Sequence, residues 1–337
     1  MKRLMTTLLV ILLAVGGGLW AYTAWFAARA EAAYPPVGEF VEVEGARLHY
    51  VDRGEGVPVV LIHGASGNLR DYLNSIAGDL AENHRVIAFD RPGHGWSERP
   101  DIADIHDPAV QARVIHQAVE KLGIGRHVVV GHSWGGAVAM AYALAFPDDL
   151  LGVVPLAAAT HPWQGGVAWY HDVVQTPVVG GTFLRTLMVP AATVLSGPGV
   201  AGTFEPNYAP EGYADAIGLD LVFRPASFRA NSEDVSHLKA ALARMAERYG
   251  EVRVPTIIIH GGGDRTVGFA IHSEPLHAAI PGSELIRLRK VGHMPHYMRA
   301  DIVTDAITRL ARGEAPVAGL RVVEPGQPLA EAGNPGI

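Results

Sequence analysis

Val128-Val129-Val130-Gly131-His132-Ser133-Trp134-Gly135-Gly136 decides how this chain is read. A run of β-branched apolar residues stops at Gly131, a serine follows, and Ala137-Val138-Ala139-Met140-Ala141-Tyr142 continues as a helix. Strand, sharp turn and helix are the setting that a Gly-x-Ser-x-Gly nucleophile elbow requires. The spacing has a steric cause. The serine takes a strained backbone angle, so the residues two before and two after it must be small for strand and helix to pass closely. Its hydroxyl then stands above the sheet edge, beside a helix N-terminus. The competing reading is a glycine-rich turn with an incidental serine. It leaves the partners that the rest of the chain supplies unexplained.

Outward from the elbow, apolar runs at 58–64, 85–90, 151–156, 254–260 and 284–288 read as buried parallel strands. Helices are expected between them at 71–81, at 107–122 with Asp107 as N-cap and Pro108 at the first position, and near 269–279. This alternation predicts an α/β fold with a mostly parallel, doubly wound sheet. Residues 39–44 and 47–51 alternate and turn at Gly45-Ala46, so they read as an antiparallel edge pair. From 160 to 229 the alternation breaks into apolar and aromatic residues separated by Gly and Pro. That segment reads as a cap insertion over the sheet's carboxyl edge, and Asn231 as the cap of a helix running to about Tyr249. The expected organisation is a membrane segment at 1–33, core at 34–159, cap at 160–229, core again at 230–312, and a disordered Pro/Gly/Ala/Glu-rich tail at 313–337.

A serine hydroxyl is a poor nucleophile until a base takes its proton, and that base needs a third group to fix its tautomer. In doubly wound sheets, reactive groups gather at the carboxyl ends of strands. Ser133, Asp264 and His293 sit at such ends, in the order Ser…Asp…His. With His63-Gly64-Ala65, Asp90-Arg91-Pro92-Gly93-His94-Gly95-Trp96-Ser97, Gly263-Asp264-Arg265 and Gly292-His293, the chain resembles the α/β-hydrolase fold family over residues 39–312. It is most similar to the capped branch that holds esterases and meta-cleavage-product hydrolases. The resemblance implies a Ser133–His293–Asp264 triad and an oxyanion hole made by the backbone N–H groups of Ala65 and Trp134. It also implies that Asp90 braces a loop.

Serine at the elbow separates the branches. In this family, epoxide hydrolases and haloalkane dehalogenases use aspartate there, because a carboxylate opens the ring or displaces halide. Serine leaves acyl chemistry. The expected activity is hydrolysis of a small apolar ester, carboxylesterase- or lipase-like. Alternatives are C–C hydrolysis of the meta-cleavage type, cofactor-free perhydrolysis, and a non-catalytic binding protein on the same scaffold, which the intact triad disfavours. Trp163, Trp169, Phe183, Leu187 and Met188 of the insertion, with His296, are the candidate pocket residues. The histidines lack a metal-binding spacing with acidic partners, so neither a metal nor a cofactor is expected.

The net charge of −7 and the absence of a basic stripe argue against a nucleic-acid partner. Without cysteine there is no disulfide, thiolate metal site or cysteine nucleophile. Met1-Lys2-Arg3 is basic, and residues 4–28 then carry no charge. As a helix at about 1.5 Å per residue this run spans roughly 37 Å, enough to cross a bilayer of about 30 Å. Trp20, Tyr22, Trp25 and Phe26 lie where an interfacial aromatic belt would, and the leading positive charges place the rest of the chain outside the cytoplasm. The rival reading is a cleaved signal peptide, for which Ala28-Arg29-Ala30 and Ala30-Glu31-Ala32 offer sites. The run exceeds the usual apolar region of about 7–15 residues, which favours an uncleaved anchor, with secretion as the alternative.

Overall fold

The computed structural model describes residues 1–329. It opens with helix α1, Lys2–Ala33. The edge hairpin follows as β1 (Glu39–Val43) and β2 (Ala46–Arg53), paired antiparallel from Glu39↔Tyr50 to Val43↔Ala46. Next come β3 (Val57–Ile62), the short helices α2 (Arg70–Leu73) and α3 (Ala77–Ala81), and β4 (His84–Phe89). The single helix expected over 71–81 is therefore broken in two. Helix α4 (Pro108–Lys121) starts as its sequence dictates: the Asp107 carboxylate accepts from the Ala109 N–H at 2.8 Å, and proline takes the first turn. Strand β5 (His127–His132) and helix α5 (Trp134–Ala145) flank the elbow, and β6 (Leu150–Leu156) lies beside them.

The segment after β6 is helical: α6 (Trp169–Gln175), α7 (Val179–Thr186), α8 (Met188–Phe204) and α9 (Tyr213–Ala216). Helix α10, Pro225–Ala246, then runs unbroken across the expected boundary at 229/230. Asn231 is thus not an N-cap. Pro225 occupies the first turn instead, and residues 225–230 are helical too. The sheet resumes with β7 (Ile257–Gly261), α11 (Phe269–Ala279) and β8 (Glu284–Leu288), and α12 (Pro295–Met298) and α13 (Ala300–Ala311) follow.

The tail corrects an expectation. Gly319–Val323 forms β9, parallel to β8 from Glu284↔Gly319 to Leu288↔Val323. The buried Glu284 carboxylate secures it. That group accepts from Arg309 at 2.6 Å, from Arg321 at 2.9 Å and from the Val317 N–H at 2.9 Å. Residues 330–337 of the predicted tail lie outside the described residues.

The nine strands lie in the order β1-β2-β4-β3-β5-β6-β7-β8-β9, parallel from β4 to β9. Each central strand feeds two cores by its period of two. Val129 faces the layer of α4, α5 and α10, while Val128 and Val130 face the layer of α3 and α13. With both faces covered, the carboxyl ends of the strands are where reactive groups gather in such a sheet.

Candidate active site

Ser133 follows the last residue of β5 at φ 53° and ψ −117°. Such a conformation costs a non-glycine residue on the order of 1–3 kcal/mol, and the surroundings must enforce it. Here they do. A Cβ on Gly131 would stand 2.1 Å from the Gly135 carbonyl oxygen, and one on Gly135 would stand 2.3 Å from that of Ile62. The Ser133 N–H donates to the Leu156 carbonyl at 3.0 Å, and the Ser133 carbonyl accepts from Gly136 at 3.0 Å and Ala159 at 3.1 Å. The elbow is pinned to the end of β6, with the serine half-buried.

The His63-Gly64-Ala65 loop leaves β3 against this elbow. A Cβ on Gly64 would stand 3.1 Å from that of Ser133. Among the described residues, neither the Ala65 nor the Trp134 N–H has a hydrogen-bond acceptor. Two free donors therefore flank the serine. The loop is held by groups from two other segments. Arg91, fully buried, donates to the His63 carbonyl at 3.0 Å and the Gly64 carbonyl at 3.2 Å. Its guanidinium pairs with buried Asp234 of α10 at 2.7 Å and stacks 4.1 Å from the Trp134 ring. Asn231, also on α10, accepts from the Ser66 N–H at 2.7 Å and donates to the Ser66 hydroxyl at 3.1 Å. Asp90 braces the neighbouring loop, accepting from Trp96 at 2.8 Å and Leu69 at 2.8 Å.

Asp264 follows β7 and His293 follows β8. His293 Nδ1 lies 2.7 Å from Asp264 Oδ2, and His260 Nε2 lies 3.1 Å from the same oxygen. Asp264 Oδ1 accepts from the N–H groups of Thr266 at 2.8 Å and Val267 at 2.9 Å. Burial alone would raise this carboxyl. The His293 charge and the hydrogen bonds from His260 and His293 outweigh burial and hold it well below the usual carboxylate range. The backbone holds His293 as well: its N–H donates to the Thr203 carbonyl at 3.1 Å, and its carbonyl accepts from His132 Nε2 at 2.8 Å. With Nδ1 on the acid, Nε2 is the nitrogen left for a proton transfer. Among the described residues no hydrogen bond joins the Ser133 hydroxyl to His293. Such links are often long until substrate is bound.

Residues 57–300 match the family model described as alpha/beta hydrolase fold. The chain belongs to the alpha/beta hydrolase fold family. Among its relatives in that family, haloalkane dehalogenase 2 of Mycobacterium tuberculosis is 37% identical over 291 residues, covering 81% of this chain and 94% of that protein. The 2-hydroxy-6-oxo-6-(2'-aminophenyl)hexa-2,4-dienoic acid hydrolase of Metapseudomonas resinovorans is 28% identical over 242 residues, covering 71% of this chain and 78% of that protein. The crystal structure of the enol-lactonase from Burkholderia xenovorans has a TM-score of 0.65 at 21% identity, covering 81% of this chain and all (100%) of that one, a likeness of fold.

Within this alpha/beta hydrolase the expected pocket residues are scattered. Trp169 and Leu187 lie on the cap's surface, 68% and 54% exposed. Met188 is sealed in a cap cluster with Phe26, Val174, Leu184 and Val189, and Phe183 packs on that cluster. Trp163 packs beside the main core, its ring 6.4 Å from that of His272. His296 is fully buried, with Nε2 2.9 Å from Asp71 Oδ2, which ties it into a polar network. The fold brings one acid and two histidines together from positions that no sequence spacing links. Asp71, His132 and His296 hold ligand-type atoms within 4.8 Å of one another. Their contacts are those of a hydrogen-bonded network. Tyr213 donates to Asp71 at 3.0 Å, and the ring of His132 sits 4.6 Å from His296 and 4.7 Å from His293. Burial raises Asp71, but the charge and hydrogen bond of His296 bring it down to about 2. Burial, with His296 and His293, pushes His132 well below the ordinary histidine range.

Three site groups were not legible beforehand. His260, four residues before Asp264, gave a usable signal: a histidine at the carboxyl end of the strand that carries the acid. Arg91 was visible only as part of a loop motif. Asn231, which reads as a helix cap in the sequence, lies inside α10 and bonds Ser66.

Proposed function

We propose that this α/β-fold hydrolase is a membrane-anchored serine esterase acting on an apolar acyl or aryl ester. The observation that carries the reading is the 2.7 Å Asp264–His293 contact beside a serine on a strained elbow. His293 Nε2 takes the Ser133 proton as Oγ attacks the acyl carbon, and Asp264 stabilises the imidazolium through Nδ1–H. The N–H groups of Ala65 and Trp134 receive the developing oxyanion. His293 then gives the proton to the departing alkoxide, leaving an acyl-serine. Water, deprotonated by the same histidine, attacks that ester, and Ser133 recovers its proton as the acid leaves.

Serine at position 133 separates this chain from dehalogenase chemistry in spite of the 37% identical relative. A second reading, hydrolysis of a C–C bond beside a ketone, is favoured by the dienoic acid hydrolase among the relatives. It uses the same triad. A panel of p-nitrophenyl esters and vinylogous diketones, assayed with the wild-type and Ser133→Ala proteins, separates the two. Ester turnover that depends on Ser133 supports the first reading, and turnover confined to diketones supports the second.

The anchor reading draws support from the packing of α1. The most apolar 18 residues of this helix have mean hydropathy 2.1 and are wholly unburied. Its last turns bury Thr23, Phe26 and Ala30, and Glu31 pairs with Arg224 of the cap at 3.1 Å. Both candidate cleavage sites fall within this packed stretch. Cleavage there would remove Phe26 from the cap cluster, so the segment is read as retained, with Lys2 and Arg3 on the cytoplasmic side and the hydrolase domain outside.

A further inference from the structure

We infer that the cap carries a second membrane contact: α7 and α8 lie in the lipid interface beside α1, and the enzyme takes its ester from the bilayer. The inference rests on the anchor reading above and extends it to the cap. Between Asp172 and Glu205 the only charged residue is Arg185. Helices α7 and α8 meet at an angle of 66° and together are as apolar as a broken membrane span. Yet this segment is not buried. Val178 is 86% exposed, Val194 73% and Leu195 61%, and Val179 and Leu187 are exposed as well. Large aliphatic side chains left exposed along two successive helices of a folded domain point to an interaction site.

The position of the patch identifies its occupant. Helix α1 packs on α7, with Phe26 in the cluster that holds Leu184, immediately after the belt residues Trp20, Tyr22 and Trp25. The point where α1 leaves the bilayer is therefore the point where it meets the cap, so the exposed face of α7 and α8 lies at the membrane surface. Helix α8 also reaches the site. It starts at Met188, packed in the cluster that holds Phe26, and ends where the Thr203 carbonyl accepts from the His293 N–H at 3.1 Å. Those ends are separated by about 22 Å at about 1.5 Å per residue. One helix thus joins the lipid-facing patch to the histidine of the site. The substrate class that suits this arrangement is an ester dissolved in the bilayer, not one free in water.

The chain has no cysteine, so single-cysteine variants label cleanly. Full-length protein carrying a spin label at Val194→Cys, Leu9→Cys or Glu55→Cys is reconstituted into phosphatidylcholine–phosphatidylglycerol vesicles. Collisions with oxygen and with a water-soluble nickel chelate are then compared. The expected result is a label at 194 that favours oxygen, as at 9, while the label at 55 favours nickel. Nickel access at 194 with oxygen access at 9 overturns the cap contact and leaves the anchor standing. Nickel access at 9 removes the anchor and the inference with it. A label at 194 shielded from both reagents means that a protein covers the patch, which also overturns it. In the activity arm, Val194→Asp and Leu195→Asp are expected to lower hydrolysis of p-nitrophenyl palmitate in vesicles by at least about tenfold, because an aspartate is expelled from the interface. Hydrolysis of soluble p-nitrophenyl acetate should stay unchanged. Equal loss on both substrates, or on neither, contradicts the inference.

Discussion

Asp264 Oδ2 stands 2.7 Å from His293 Nδ1 and 3.1 Å from His260 Nε2. One carboxylate oxygen thus orients the candidate base and is itself held by a second histidine, while its partner oxygen is fixed by two backbone N–H groups. Asp264→Asn keeps the shape but presents an amide to Nδ1, which disfavours the productive tautomer. The expected cost is on the order of 10⁴ in kcat with little change in fold. A near-ultraviolet circular dichroism spectrum and steady-state kinetics check it. A variant within tenfold of wild type contradicts the role of Asp264.

Asp234→Asn is expected to lower stability by about 3–5 kcal/mol, because it leaves the buried Arg91 guanidinium without its counter-charge. Denaturant unfolding measures this. The pair also positions the His63–Gly64 loop, so kcat should fall by more than KM rises. Unchanged stability would show that the pair is dispensable.

Stability is expected to fall as pH drops from about 6.5 towards 4. Burial holds His63, His171 and His272 at about 4, against about 6.5 for a free histidine. In that window the unfolded chain binds protons that the folded chain refuses. The stability these groups confer is complete above about 6.5 and lost as pH approaches their folded values. Asp71, held at about 2, extends the loss below about 4. The Tm measured at pH 5 should lie below that at pH 7.5, and an equal or higher value contradicts the assignment.

Phe26→Ala should destabilise the cap by about 3 kcal/mol, as for other buried phenylalanines. For the same reason a chain starting at Tyr34 is expected to lose cap order, whereas one starting near Trp20 keeps Phe26 and Ala30 in place. Limited proteolysis within 169–204 reads this directly. Equal protease resistance of both truncations contradicts the packing role of α1.

Much of this was legible in the residues because the signals were local. The β-branched run before Gly131, the Asp107-Pro108 cap and the strand at Glu284–Leu288 are each written in a few neighbouring positions. The pairing of Asp264 with His293 was legible because both follow strand ends, which are predictable in a parallel sheet. The failures were tertiary. Strand β9 hid in a Pro/Gly-rich tail because its stability comes from Glu284 clamped by Arg309 and Arg321, a distant arrangement. The pairing of His296 with Asp71, 225 positions away, is a second tertiary contact that no local signal announces. The aromatics and aliphatics of 160–229 are not separable in the sequence, because composition cannot tell a wall facing substrate from a side chain left exposed, as Trp169 is, or packed on α1, as Met188 is.

The central claim is that Ser133 is the nucleophile. The most direct test is labelling of full-length protein in membranes with a fluorophosphonate probe, followed by peptide mapping and comparison with Ser133→Ala. The account predicts a single adduct on Ser133, and a variant that stays folded, does not label and loses on the order of 10⁴–10⁶ in kcat. An adduct on another residue, or a Ser133→Ala protein that retains a tenth of wild-type turnover, would contradict it.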